Sequence, residues 1–156
     1  MSSPRVSAVQ KFIDAFGKLD KETIISNITP NFTYTFAPST VSISPLLNPE
    51  AFSRHLDNIQ ALLKAYPITV KTIIDCGDVE NKVVLWATGD AQFKDELMDD
   101  GLSKEEWQYK GEYIVVFTIA ESGKLEEIFE FMDSKAAEKF RPLMQRAGMN
   151  LQKLTK

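Results

Sequence analysis

The feature that most constrains this chain is a succession of long extended segments in its second half. Residues from about Thr69 to Cys76, Lys82 to Phe93, Tyr109 to Ile119 and Lys124 to Met132 are rich in β-branched and aromatic residues, with apolar side chains alternating or continuous. Two of the connections are short. One turns at Gly77-Asp78 or at Glu80-Asn81, and the other at Ser122-Gly123, a hairpin signal. Strands joined this way pair antiparallel, and the apolar face of the resulting sheet must be covered.

The cover is written before and after the strands. Ser2 and Ser3 precede Pro4, a good helix start, and Val9, Phe12, Ile13 and Phe16 recur at helical spacing. Asp20 can cap a second helix carrying Ile24, Ile25 and Ile28, stopped before Pro30. Phe32, Tyr34 and Phe36 alternate with Thr33 and Thr35 as a strand, and Pro38 to Leu47 reads as a loop. Asn48-Pro49 opens a third helix with Phe52, Leu56, Ile59, Leu62 and Leu63 on one face, ended by Pro67. After the strands, Asp133 or Ser134 caps a final helix with Ala137, Phe140, Met144 and Ala147 on one face. Pro142 is expected to kink it or end its first part, and Gly148 to suit its terminus. The order predicts a single α+β domain over residues 1–156, a cone-shaped barrel in which a strongly curved, mostly antiparallel sheet wraps around the N-terminal helices.

Charge and composition narrow the function classes. The net charge is −4 with both signs dispersed, whereas nucleic acid or anionic lipid requires a basic face, so neither nucleic acid nor a membrane is the expected partner. Cys76 is the only cysteine and has no internal disulfide partner. The start of the chain shows no hydrophobic signal core, so the sequons at Asn27 and Asn31 read as chance and a cytoplasmic setting is expected. Phosphate-binding glycine loops, the nucleophile-elbow motif and the zinc-protease motif are all missing, and one His with one Cys makes a poor zinc set. Neither cofactor nor metal is expected.

Two segments carry a resemblance. Trp107-Gln108-Tyr109-Lys110-Gly111-Glu112-Tyr113-Ile114 resembles the W-x-Y-x-G-E-Y-I segment of fungal SnoaL-like proteins, of the nuclear-transport-factor-two-like superfamily. Glu127-Ile128-Phe129-Glu130-Phe131-Met132-Asp133-Ser134 resembles their I-x-E-F-V-D-S strand ending. The resemblance implies a conical pocket, a hydrophobic small-molecule substrate, a homodimer through the outer sheet face, and isomerase or cyclase chemistry in secondary metabolism. It points to Glu130 as a carboxylate in the pocket, to Tyr109 and Tyr113 as proton donors, and to Asp90 as a second acid, by analogy with related epoxide hydrolases. Some fungal members carry an Arg on the first strand. Here no Arg lies between Arg5 and Arg54, so that route to oxyanion stabilisation is missing.

The residues support these assignments to different degrees. Alternation places Ile128, Glu130 and Met132 on one strand face and Glu127, Phe129, Phe131 and Asp133 on the other, without saying which faces a pocket. The resemblance selects the Glu130 face. A carboxyl group in an apolar pocket has a raised pKa and serves as acid or base near neutrality. Tyr109 and Tyr113, four apart, share a face and can present phenol hydroxyls; core packing is the other reading. Asp90 shares a face with Trp86 and Thr88, a mixture suited to a lined cavity, where it could pair with Glu130 across strands. His55 sits at the edge of the third helix's apolar face, where it can reach the mouth of a pocket. Asp133 reads better as a helix cap than as a catalytic acid. The acidic run from Lys94 to Glu106 is either a lid or a solvated loop, with a capping box at Ser103 and Glu106. Epoxide hydrolysis and non-catalytic ligand binding are the alternative functions. Val84, Glu112, Ile114 and Val116 are the outward residues expected to join two copies.

Overall fold

The computed structural model describes residues 2–41 and 46–156. Among these are four α-helices and a seven-stranded sheet. Helix α1 (Pro4–Gly17) starts at Ser3, whose hydroxyl accepts the Val6 amide, and α2 (Lys21–Ser26) starts at Asp20, which accepts the Thr23 amide. Strand β1 (Ile28–Ala37) follows directly. Ile28 therefore opens the strand rather than closing α2, and Pro30 lies within it. The strand tolerates Pro30 because its register slips there: Ile28 pairs with Leu125, but Thr33 pairs with Glu127. Of the loop expected from Pro38 to Leu47, residues 42–45 lie outside the described residues, and Leu46–Leu47 form the short β2.

Helix α3 (Pro49–Leu62) is capped by Asn48, which accepts the Ala51 amide. It ends earlier than Pro67 suggests, because Leu63–Ala65 leave the helix to pair as β3. Strands β4 (Ile68–Asp75), β5 (Lys82–Phe93), β6 (Tyr109–Ile119) and β7 (Leu125–Met132) complete the sheet, within a residue of the expected limits. Gly77 and Gly123 take positive φ in the turns, the conformation glycine adopts without strain. Helix α4 (Ser134–Leu154) is capped by Asp133, whose carboxylate accepts the Lys135 and Ala136 amides. It runs through both Pro142 and Gly148, contrary to expectation. Pro142 and Glu138 both face solvent, so water can satisfy the carbonyl that the proline leaves without its usual donor.

The sheet order is β2-β1-β7-β6-β5-β3, with β4 also on β5. All pairs are antiparallel except β1 with β7. Strands β3 and β4 lie end to end along the same edge of β5, separated only by Tyr66-Pro67. The sheet is open, so the expected barrel is not closed among the described residues. Helix α3 touches β1, β2 and β3 and so lies between the two edges that a barrel would join.

The inner face buries Phe32, Leu85, Val115, Phe117 and Ile128 against Val9, Phe12 and Ile13 of α1 and Phe52 and Leu56 of α3. A second cluster, around Phe93, Trp107 and Tyr109, packs on Leu143 and Ala147 of α4. That helix also holds the acidic segment in place. Arg146 donates twice to the Asp99 carboxylate, at 2.8 and 2.6 Å, Asn150 donates to Asp99 and to the Leu97 carbonyl, and Leu97 and Trp107 are buried. Ser103 and Glu106 form the reciprocal capping box. The segment is thus bound to the body of the domain on its own account, unlike a free lid.

Much of the outer face is exposed among the described residues. Trp86, Ile114 and Phe131 form one cross-strand row and are 43–48% exposed. The neighbouring row is Ile74, Val84, Val116 and Phe129. No helix among the described residues is long and apolar enough to cross a membrane.

Candidate active site

Between the inner sheet face and the helices lies a cavity of about 600 Å³. Phe12 and Phe16 of α1, Phe52 and His55 of α3, and Phe140 and Arg141 of α4 form one wall. Tyr34, Tyr109, Tyr113, Val115 and Glu130 of the sheet form the other. Volume and lining suit a mainly apolar ligand of moderate size with a few polar anchors.

Glu130 is on the inner face of β7, paired with Phe36 on one side and Val115 on the other. The face that alternation left open is therefore the pocket face. Tyr34 donates a 2.8 Å hydrogen bond to Glu130 Oε1. Burial disfavours the ionised carboxylate and pushes its pKa from 4.5 up to about 7; the Tyr34 hydrogen bond pulls the other way and only partly offsets it. The carboxyl group is thus divided between its two protonation states near neutral pH. Burial beside this carboxyl group raises the Tyr34 phenol well above its ordinary range, so Tyr34 remains a donor.

Tyr109 and Tyr113 point inward from β6. Phe140 stacks on Tyr109 with ring centroids 4.2 Å apart and planes 17° from parallel. The Tyr113 hydroxyl shares a hydrogen bond with Tyr66. Burial raises the phenol pKa of Tyr66, Tyr109 and Tyr113 alike, so all three carry their protons across the neutral range. His55 also reaches the cavity, its ring 5.6 Å from that of Phe36, and burial lowers its pKa so that the neutral imidazole prevails at neutrality.

Asp90 is the sequence candidate that the fold does not bring to the cavity. Leu85, Ala87 and Ala91 of β5 are buried on the inner face, so Trp86, Thr88 and Asp90 take the outer one. Asp90 sits opposite Lys110 there. Its mixed neighbourhood belongs to the outer surface, and the pairing with Glu130 across strands does not form. Among the described residues no three His, Cys, Asp or Glu side chains are grouped as metal ligands.

Comparison with known proteins agrees with this architecture. No protein-family model matches the chain. It is 27% identical over 128 residues to Austinoid biosynthesis clusters protein H of Penicillium brasilianum, covering 79% of this chain and 78% of that one. Among solved structures, AusH from Aspergillus nidulans superposes with a TM-score of 0.71 at 22% identity, over 86% of each chain. BvnE pinacolase from Penicillium brevicompactum superposes with a TM-score of 0.75 at 20% identity, over 93% of this chain and 96% of that one. The chain is a homologue of the austinoid protein and shares the fold of these structures, which is also that of a solved NTF2-like protein from Burkholderia pseudomallei.

Four residues of the site escaped the sequence reading. Tyr34 carries no signal beyond its alternation with Phe32 and Phe36 on β1, which gives its face but no role. Tyr66 had no periodicity to mark it. Gly89 and Gly111 stand inside long strands, where a glycine often signals close approach by another group. Here Tyr66 lies against Gly89, and the Tyr113 and Tyr109 hydroxyls lie over Gly111.

The raised pKa of Glu130 has a consequence for stability. A group whose folded pKa lies above its unfolded value stabilises the fold fully below the unfolded pKa, and that contribution is lost as pH rises through the folded pKa. For Glu130 the window runs from about 4.5 to about 7. Relative to Glu130→Gln, which keeps an acceptor for Tyr34, the native chain should lose about 3 kcal/mol across that window. Urea unfolding of both proteins at pH 4, 5.5, 7 and 8.5 measures it. A constant difference at all four would show that the carboxyl group is not held in an apolar setting.

Proposed function

We propose that this chain is an enzyme that isomerises or cyclises a hydrophobic secondary metabolite by acid/base chemistry, without a cofactor. The observation that carries the proposal is Glu130, with its pKa near 7, sharing one apolar cavity with Tyr109 and Tyr113. The names of the relatives, a protein of austinoid biosynthesis and a pinacolase, support the metabolite class.

The residues that line the cavity support the following chemistry. Ionised Glu130 takes a proton from carbon next to a substrate carbonyl. The electron pair of that C–H bond moves into an enolate, and phenol O–H groups of Tyr109 and Tyr113 donate to its oxygen. Where a C=C bond lies β,γ to the carbonyl, the protonated Glu130 then returns the proton to the γ-carbon of the dienolate, which moves the double bond into conjugation and completes an isomerisation. Alternatively the enolate carbon adds to a second carbonyl of the same molecule; the C=O π pair moves onto that oxygen, which takes the proton from Glu130, and a ring closes. Neutral His55 is a supporting donor or acceptor at the cavity wall. Epoxide hydrolysis by paired Asp90 and Glu130 loses its second acid, since Asp90 faces outward.

The direct test is exchange of the α-hydrogens of an apolar ketone, 2-tetralone, for deuterium in heavy water. The native protein should accelerate exchange, with a pH dependence whose acidic limb lies near 7. Glu130→Gln should slow it by about 10²- to 10⁴-fold. A folded Glu130→Gln protein that exchanges at the native rate would remove Glu130 from the mechanism, and absence of exchange in the native protein would favour a binding role.

We also propose a homodimer through the outer sheet face. The rows Trp86, Ile114, Phe131 and Ile74, Val84, Val116, Phe129 make an apolar surface of the kind a second copy covers, and Glu112, which accepts from Trp86 Nε1 at 2.6 Å, lies at its border. Sedimentation at micromolar concentration should give twice the 17.6 kDa chain mass. Ile114→Glu should return the protein to monomer; a native protein that sediments at 17.6 kDa would end the proposal.

A further inference from the structure

We infer that Tyr66 joins Tyr109 and Tyr113 in a three-phenol site for an enolate or phenolate oxygen, seated on the glycine pair Gly89 and Gly111. The inference rests on the proton-transfer reading above, to which it adds a positioning residue and a floor. Gly89 and Gly111 are directly opposite in the β5–β6 register. Both fall on the inner face, among Ala87, Ala91, Tyr109 and Tyr113, so the sheet has a patch there with no side chains. Three phenols occupy it. A Cβ on Gly89 would collide with the Tyr66 ring, and a Cβ on Gly111 would collide with the Tyr113 hydroxyl and stand 2.8 Å from that of Tyr109. The Tyr109 and Tyr113 hydroxyls therefore converge on one point above the strand, and Tyr66 reaches the same place from outside the sheet.

Tyr66 gets there because the edge strand is interrupted. Its amide donates to the Gly17 carbonyl at the end of α1, and the Pro67 carbonyl accepts the Asp90 amide. The break between β3 and β4 at Tyr66-Pro67 turns the ring inward over Gly89, with Phe16 and Phe140 packed edge-on or tilted against it.

Counting protons gives the site its function. The Tyr66 and Tyr113 hydroxyls hydrogen-bond to each other, which consumes one of their two protons. With Tyr66 as the donor, the Tyr113 O–H is left for another acceptor and is polarised by the bond it accepts. The Tyr109 hydroxyl is close enough to that of Tyr113 to share a hydrogen bond with it, and when an oxyanion enters, both O–H groups can turn from each other to donate to it. Two converging donors in an apolar cavity are what a developing oxyanion requires. Tyr66 thus acts through Tyr113, holding its hydroxyl in place.

The test uses 2-naphthol as a probe, whose ionised and neutral forms differ in absorbance, with 2-methoxynaphthalene as the matched ligand that cannot ionise. In the native protein the bound naphthol should ionise at lower pH than the free probe. Tyr66→Phe keeps the ring on Gly89 and removes only the hydroxyl. It should cut the bound ionised fraction about tenfold at fixed pH and leave 2-methoxynaphthalene affinity unchanged. Gly111→Ala should act in the same sense by displacing the hydroxyls. Glu130→Gln should preserve or strengthen naphtholate binding because it removes a nearby negative charge. A failure of Glu130 in the exchange assay would therefore leave this result standing. The inference is overturned if bound naphthol ionises as it does in water, if Tyr66→Phe binds naphtholate like the native protein, or if it weakens both ligands equally.

Discussion

A carboxyl group placed among aromatic rings must either find enough partners to stay ionised or give up its charge near neutrality. Among the described residues Glu130 has one hydrogen-bond partner, the Tyr34 hydroxyl, which is too little to offset the loss of water. Its pKa therefore settles near 7, and the group becomes useful for moving protons. The rest of the site depends on this imbalance. A salt bridge at Glu130 would have restored the ordinary carboxylate range, and none of the salt bridges among the described residues involves it. Arg141 of α4 lines the same cavity and is in none of those salt bridges.

The fold maintains that condition by geometry. Strand β7 lies between β1 and β6, so Glu130 has Phe36 and Val115 directly across from it, and Tyr34 and Tyr113 lie diagonally, opposite Ile128 and Met132, on the same inner face. Helix α3 lies between the two sheet edges, which keeps the sheet open and contributes His55 and Phe52 to the cavity. Proton donors come from phenols because burial keeps them protonated. Glycines at 89 and 111 give those phenols room that any side chain would take away.

Much of this was legible in the sequence where periodicity was strong. The limits of β5 and β6 and the caps at Ser3, Asp20, Asn48 and Asp133 follow from local rules. The partition of β7 into two faces did too, but the choice between faces needed the family resemblance, because both faces carry apolar residues. The same ambiguity misled at Asp90: on the outer face Trp86 is exposed, Thr88 is buried and Asp90 lies opposite Lys110, and so mixed a face resembles a lined cavity. Tyr66 was invisible for a different reason. It belongs to neither a helix nor a strand, and its position depends on a break in the edge strand that only the tertiary pairing reveals. Pro142 and Gly148 show local preference overridden by packing, since α4 is held along its length by Leu143, Ala147 and the Arg146–Asp99 contact.

The central claim is that the Glu130 carboxyl group titrates near neutrality because the cavity withholds solvent and charge partners from it. The measurement that bears on it most directly is carbon-13 NMR of the side-chain carboxyl groups in protein labelled at glutamate, followed from pH 4 to pH 9, with the Glu130 resonance assigned by its loss in Glu130→Gln. The account predicts a midpoint of about 7. A midpoint near the ordinary glutamate value of about 4.3 would contradict it.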